Sequence, residues 1–81
     1  MPEIMAARRE LWHDPHAARV VGEWLETLGA IEQFEYLRNL PDEAFRNLMM
    51  HGLSPEATAE QTICDYCHDR LQRLGYVPPA L

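Results

Sequence analysis

An all-α fold is what this chain predicts: a compact bundle of four to five short helices, the longest at the C-terminus. Three observations carry that expectation. Apolar residues recur at spacings of three and four through most of the chain, the period of one helix face. Pro and Gly fall between those stretches and seldom within them. No segment alternates apolar and polar residues as a half-buried strand would. The chain has 81 residues, 47% of them hydrophobic, which suits one small helical domain over 1–81 with residues 76–81 as an extended tail.

The elements follow in order. Residues 3–12 combine good helix formers with Ile4, Met5, Ala7 and Trp12, a short first helix. Asp14 before Pro15 is an N-cap and first-turn signal, so a second helix runs from Pro15 to Leu28 with Gly29 as its stop. Ala17, Val21, Trp24 and Leu28 give it one apolar face, and Ala18 and Gly22 beside that face allow another backbone to come close. Ile31, Phe34 and Leu37 mark a third helix over 31–39. Pro41-Asp42-Glu43 starts a fourth, with acids at the positive end of its dipole and Gly52 at its end. Ser54-Pro55 opens the last helix, with Thr58-x-x-Gln61 as a competing start; Ile63, Cys67, Leu71 and Leu74 form its stripe and Gly75 stops it.

Charge narrows the function classes. All seven basic residues are Arg, against 13 acids, for a net charge of −6. Ten of those acids and only Arg38 and Arg46 lie between residues 22 and 69, so the middle of the chain repels phosphates and direct nucleic-acid binding is not expected. The same charge favours a basic protein surface. No apolar run approaches the about 18 residues of a membrane span, and no export signal is visible, so a cytoplasmic location without membrane contact is expected. In that compartment two cysteines are thiols. Ser54 is the only serine and suits a cap, the glycines are separated, and no pair of carboxylates is singled out, so no catalytic residue and no enzyme activity are expected.

Cys64-Asp65-Tyr66-Cys67-His68 is the sharpest local feature. It resembles the Cys-x-x-Cys-His attachment motif of c-type haem, which would bond both thiols to the macrocycle and His68 to the iron. Cys64 and Cys67 also have zinc-ligand spacing, and His13-x-x-His16 can complete a Cys2His2 set across the fold, with His51 or His68 as substitutes. A redox dithiol is a third use, disfavoured because the pair lies well inside the expected helix and beside Asp65 and Asp69. The simplest reading makes both cysteines small core residues and requires no cofactor, with zinc or c-type haem as alternatives.

Leu40-Pro41, Gly52-Leu53-Ser54 and Ala59-Glu60 together look like a helix-turn-helix of the sigma-factor or LuxR type over about 20 residues. That resemblance implies a transcription regulator, although position 58 is Thr and the segment that would read bases, Cys64 to Asp69, holds two acids and no Arg or Lys.

The preferred expectation is a non-catalytic acidic interaction protein, an adaptor, regulator or inhibitor that docks on a larger basic protein. In size and charge it looks like small phage-encoded inhibitors of host or defence machines, anti-CRISPR proteins among them. The residues expected at the interface are Glu23, Glu26, Glu32, Glu35, Tyr36, Asp42, Glu43, Met50 and Tyr66, acids together with large side chains that fall off their helix stripes. A homodimer through Ala18, Gly22, Trp24 and Leu25 is a companion expectation.

Overall fold

Residues 2–76 are described by a computed structural model. They form α1 (Pro2–Glu10), α2 (Pro15–Leu25), α3 (Ala30–Asn39), α4 (Asp42–His51), a 3₁₀ turn (Pro55–Ala57) and α5 (Gln61–Arg73), with no strand among them. The all-α expectation holds, and α5, at 13 residues, is the longest helix. The tail assigned to 76–81 lies outside the described residues except for Tyr76. No described helix is long and apolar enough to cross a membrane.

Helix α2 sits at the centre, packed against α1 on one side and α4 on the other. Its apolar stripe supplies Ala17, Ala18, Val21 and Leu25 to a core completed by Leu11, Leu37, Phe45, Leu48, Leu53, Ile63 and Cys67. The N-terminus of α2 forms as its sequence predicts, with Pro15 in the first turn and Asp14 Oδ1 accepting from the His16 amide at 3.0 Å. Ala18 and Gly22 do admit another backbone, but it is the end of α4. A Cβ on Gly22 would overlap the Gly52 carbonyl, and one on Gly52 would overlap the Ala18 carbonyl. With Ala18, Gly22 and Leu25 buried inside the chain, the dimer face expected on α2 is already consumed.

Three buried or half-buried polar side chains tie these elements together. Gln33 donates to the Leu25 carbonyl at 2.9 Å and accepts from the Ala59 amide at 2.7 Å. Asn47 donates to the carbonyls of Leu11 and Asp14, fixing the α1–α2 connection. Arg70 donates to the carbonyls of Leu37 and Leu40 at the far end of α3.

These links explain why several boundaries differ from expectation. Helix α2 ends at Leu25 instead of Leu28, because Thr27 and Leu28 fold back on the Trp24 and Leu25 carbonyls while Gln33 also engages Leu25. Gly29 is therefore the N-cap of α3 and does not stop α2. Helix α1 ends at Glu10, with Leu11 to His13 in a turn. The last helix does not run from Pro55: Ser54 caps only the 3₁₀ turn, the chain is extended at Thr58 and Glu60, and α5 starts at Gln61 with Glu60 as its N-cap, two residues beyond the start that the Thr58 capping box implied. Gln33 holds the Ala59 amide in that break and so takes from the helix a donor it would need. On α3, Ile31 faces solvent at 77% exposure and buried Gln33 takes the inner place that the Ile31 spacing implied. The end of α5 is as predicted: Gly75 at φ +87° lets the Tyr76 amide bond Leu71 and the Gly75 amide bond Gln72, a Schellman closure.

Candidate functional site

A pair of adjoining grooves lies between α1 and the stretch from α3 to the start of α4. Arg8 and Leu40 border both. One, of about 490 Å³, is lined by Trp24, Leu28, Glu32, Glu35, Tyr36 and Asn39 in addition to that pair. The other adds Trp12, Pro41, Asp42, Glu43 and Ala44. The aromatic floor is rigidly built. Trp24 and Tyr36 meet edge to face with centroids 5.3 Å apart, and the Arg8 guanidinium lies 5.1 Å from each ring centre. Burial raises the Tyr36 phenol above its ordinary pKa, an effect that Arg8 partly offsets. Trp12, from the turn after α1, is half exposed over the second groove.

The sequence places acids along α3 and at the start of α4, and the fold aligns them on this rim. Glu32, Glu35 and Glu43 are exposed and form no ion pair among the described residues. Asp42 accepts from Arg70 at 2.8 Å. Glu23 lines a third groove, between α1 and α2, which meets the first at Trp24. Thus Glu23, Glu32, Glu35, Tyr36, Asp42 and Glu43 of the expected interface residues border one connected surface. Glu26 is exposed outside it, Met50 is half exposed on α4, and Tyr66 is turned inward, stacked edge to face on Phe34 and near Phe45. Trp12, Trp24 and Arg8 were not expected there. Arg8 meets Tyr36 across 28 residues of sequence, a contact that leaves no local signal.

Of the residues singled out as metal or haem ligands, Cys64 and His68 come together, while Cys67, His13 and His16 lie apart from them. Cys64 and Cys67 are both free thiols, but Cys67 is enclosed in the core. Burial, with Cys64 beside it, pushes the Cys67 pKa up to about 12. His13 pairs with Glu10 at 3.2 Å and His16 borders the α1–α2 groove; neither joins Cys64. The Cys2His2 set is therefore not assembled. Nor do these residues suit a c-type haem, whose vinyl groups need both thiols at the surface. The group that does form is Glu56, Cys64 and His68, whose ligating atoms lie within 4.8 Å of one another. Glu56 comes from the 3₁₀ turn and was not among the expected ligands. His68 Nε2 is 2.5 Å from Glu56 Oε2, and Ser54 Oγ donates to Glu56 Oε1 at 3.0 Å. The His68 contact, then Ser54, hold the Glu56 carboxyl below its ordinary pKa. Burial raises the Cys64 thiol, and the charges of Glu56 and Asp65 add to that. Because α5 starts at Gln61, Cys64 is its fourth residue, much nearer the helix start than the sequence suggested.

The helix-turn-helix arrangement also departs from its sequence likeness. Residues 52–60, between α4 and α5, hold only the 3₁₀ turn, whereas that motif joins its helices with a turn of about 3–4 residues. Arg70, one of two Arg residues on α5, is turned into the protein.

No family model, curated protein or solved structure matches this chain.

Proposed function

We propose that the protein is a non-catalytic interaction module whose aromatic groove, rimmed by Glu32, Glu35 and Glu43, docks on a basic surface of a larger protein. The observation that carries this reading is the coincidence, on one face, of acids without ion-pair partners among the described residues and a floor of Trp12, Trp24, Tyr36 and Leu40. Aromatics supply contact area at low entropic cost, and uncompensated acids supply orientation and on-rate. Regulation or inhibition by occupying a basic site that serves another ligand is the role such a surface fits. A cytoplasmic setting belongs to the same proposal.

The test starts from a partner isolated by cross-linking through a photoreactive group at position 12. Glu32→Lys with Glu35→Lys is expected to weaken its binding at least about tenfold, with most of the loss in association rate and least effect at high salt. Glu26→Lys, outside the groove, is expected to leave affinity unchanged. Equal effects of the two charge reversals, or a partner whose contact surface is acidic, would overturn the proposal.

A further inference from the structure

We propose that Glu56, Cys64 and His68 form a three-ligand Zn²⁺ site, separate from the groove and sharing no residue with it. Cys64 and His68 are four apart on α5, so both side chains rise from one face a single turn apart. The 3₁₀ turn packs against α5 and brings the Glu56 carboxylate over the same face. Thiolate, imidazole and carboxylate are the three donor types that Zn²⁺ accepts.

The geometry is within reach of a tetrahedron. Bonds of about 2.3 Å to sulfur and about 2.0 Å to nitrogen and oxygen put ligand atoms roughly 3.3–3.5 Å apart. The ligating atoms now lie within 4.8 Å, so Cys64 has little to close. The His68–Glu56 contact of 2.5 Å has to open by roughly 0.8 Å to admit an ion. Both partners have the freedom to do so, since the Glu56 side chain is 67% exposed and that of His68 41%. Ser54 already holds the outer oxygen of Glu56, leaving Oε2 for the metal, as an outer-shell partner of a ligating carboxylate does.

Charge supports the same assignment. Zn²⁺ binding releases the Cys64 proton, and the thiolate and carboxylate together then neutralise the ion. Cys64 near the start of α5 also gives the thiolate the favourable end of the helix dipole. Protein supplies three ligands, and the exposed side of His68 and Glu56 leaves the fourth position to water. Cys67, one turn along but enclosed in the core, takes no part.

Cobalt(II) titrated into the metal-free full chain tests this directly. A near-ultraviolet thiolate-to-cobalt band, with the visible bands of a tetrahedral ion, is expected and should vanish on adding Zn²⁺. Cys64→Ser should abolish the thiolate band, His68→Ala and Glu56→Gln should each weaken binding at least tenfold, and Cys67→Ser should leave the band in place, with circular dichroism confirming each fold. On the unaltered protein, Zn²⁺ should slow iodoacetamide labelling of Cys64, read by peptide mass spectrometry. Absence of a thiolate band at millimolar cobalt, its survival in Cys64→Ser, or labelling of Cys64 indifferent to Zn²⁺ would overturn the site.

Discussion

Arg70 on α5 offers the sharpest test of how the fold is held. It is 9% exposed and its guanidinium makes three contacts with the α3–α4 junction. Nη1 donates to the Leu37 carbonyl at 3.0 Å, and Nη2 to the Leu40 carbonyl at 2.6 Å and to Asp42 Oδ1 at 2.8 Å. The guanidinium also lies 4.4 Å from the centre of the Phe45 ring. Arg70→Met keeps the apolar stem and removes the donors. The Leu37 carbonyl is in a buried setting, so its loss costs about 1–3 kcal/mol; the Leu40 carbonyl, half-buried and partly rehydrated, adds about 1 kcal/mol. Asp42 is 68% exposed and returns to water, so its pairing with Arg70 contributes little. The expected loss is therefore about 2–4 kcal/mol, a large share of the roughly 4–12 kcal/mol available to a chain of this length. Urea unfolding followed by circular dichroism should show the midpoint falling with the slope unchanged. Arg70→Lys, with one point charge and no fork, should lose an intermediate amount. A loss below about 0.5 kcal/mol in Arg70→Met would refute the reasoning. So would a comparable weakening of the unaltered protein in high salt, which would give the exposed Asp42 pair the leading role.

Gly22→Ala tests the α2–α4 crossing, because the new methyl meets the Gly52 backbone and no rotamer relieves it. Against a helix-propensity gain of about 1 kcal/mol, overpacking of about 1–3 kcal/mol should leave a net loss, seen as a lower melting temperature. A raised one would show that the helices separate freely. The Cys67 thiol, with its pKa pushed up to about 12 from an ordinary 9.0, stays neutral in the folded chain while the unfolded chain ionises. Its contribution is thus complete below about pH 9 and is lost progressively as pH rises toward 12. Cys67→Ala should flatten that alkaline decline, and a thiol reagent at pH 8 should reach Cys67 only in denaturant; labelling of the native protein at Cys67 would contradict its enclosure.

How much of this could be read from the sequence depends on the distance over which each cause acts. Local causes were visible: Asp14-Pro15 starts α2, Pro41 with its acids starts α4, and Gly75 closes α5. Their determinants lie within one helical turn. Missed features have partners far along the chain. Gln33 looks like a polar residue on a short helix, yet the Ala59 amide 26 residues away and the Leu25 carbonyl make it a core residue. That same bond interrupts the segment the periodicity read as one long helix. Arg70 looks like a surface cation near a helix end, and its acceptors lie 30 and 33 residues back. Among the candidate sites, the acidic rim was readable because α3 carries its acids in sequence. The aromatic floor was not, because Arg8, Trp12 and Trp24 reach it from α1, the turn after it, and α2. The Glu56–Cys64–His68 group was half readable: the Cys64 to His68 spacing is local, and Glu56 joins only because the chain breaks at Thr58 to Glu60.

The same breaks decide what the chain's acidity can do. Read along the sequence, the acids between residues 22 and 69 form one block; in the fold they divide into sets with different partners. Glu56 meets His68 and Asp69 meets Arg73, so the acids around α5 are partly matched within their own surface. Asp42 is the hinge between the sets, since it stands on the groove rim but accepts from Arg70 of α5. Glu32, Glu35 and Glu43 have no such match among the described residues; Glu32 and Glu43 stand in the first turns of α3 and α4, where the helix dipole favours them. Their cost is mutual repulsion along one rim, which a basic partner would relieve and a neutral one would not. The groove is where such acids adjoin the aromatic floor, which is why its charge, on the proposed reading, is expected to govern binding.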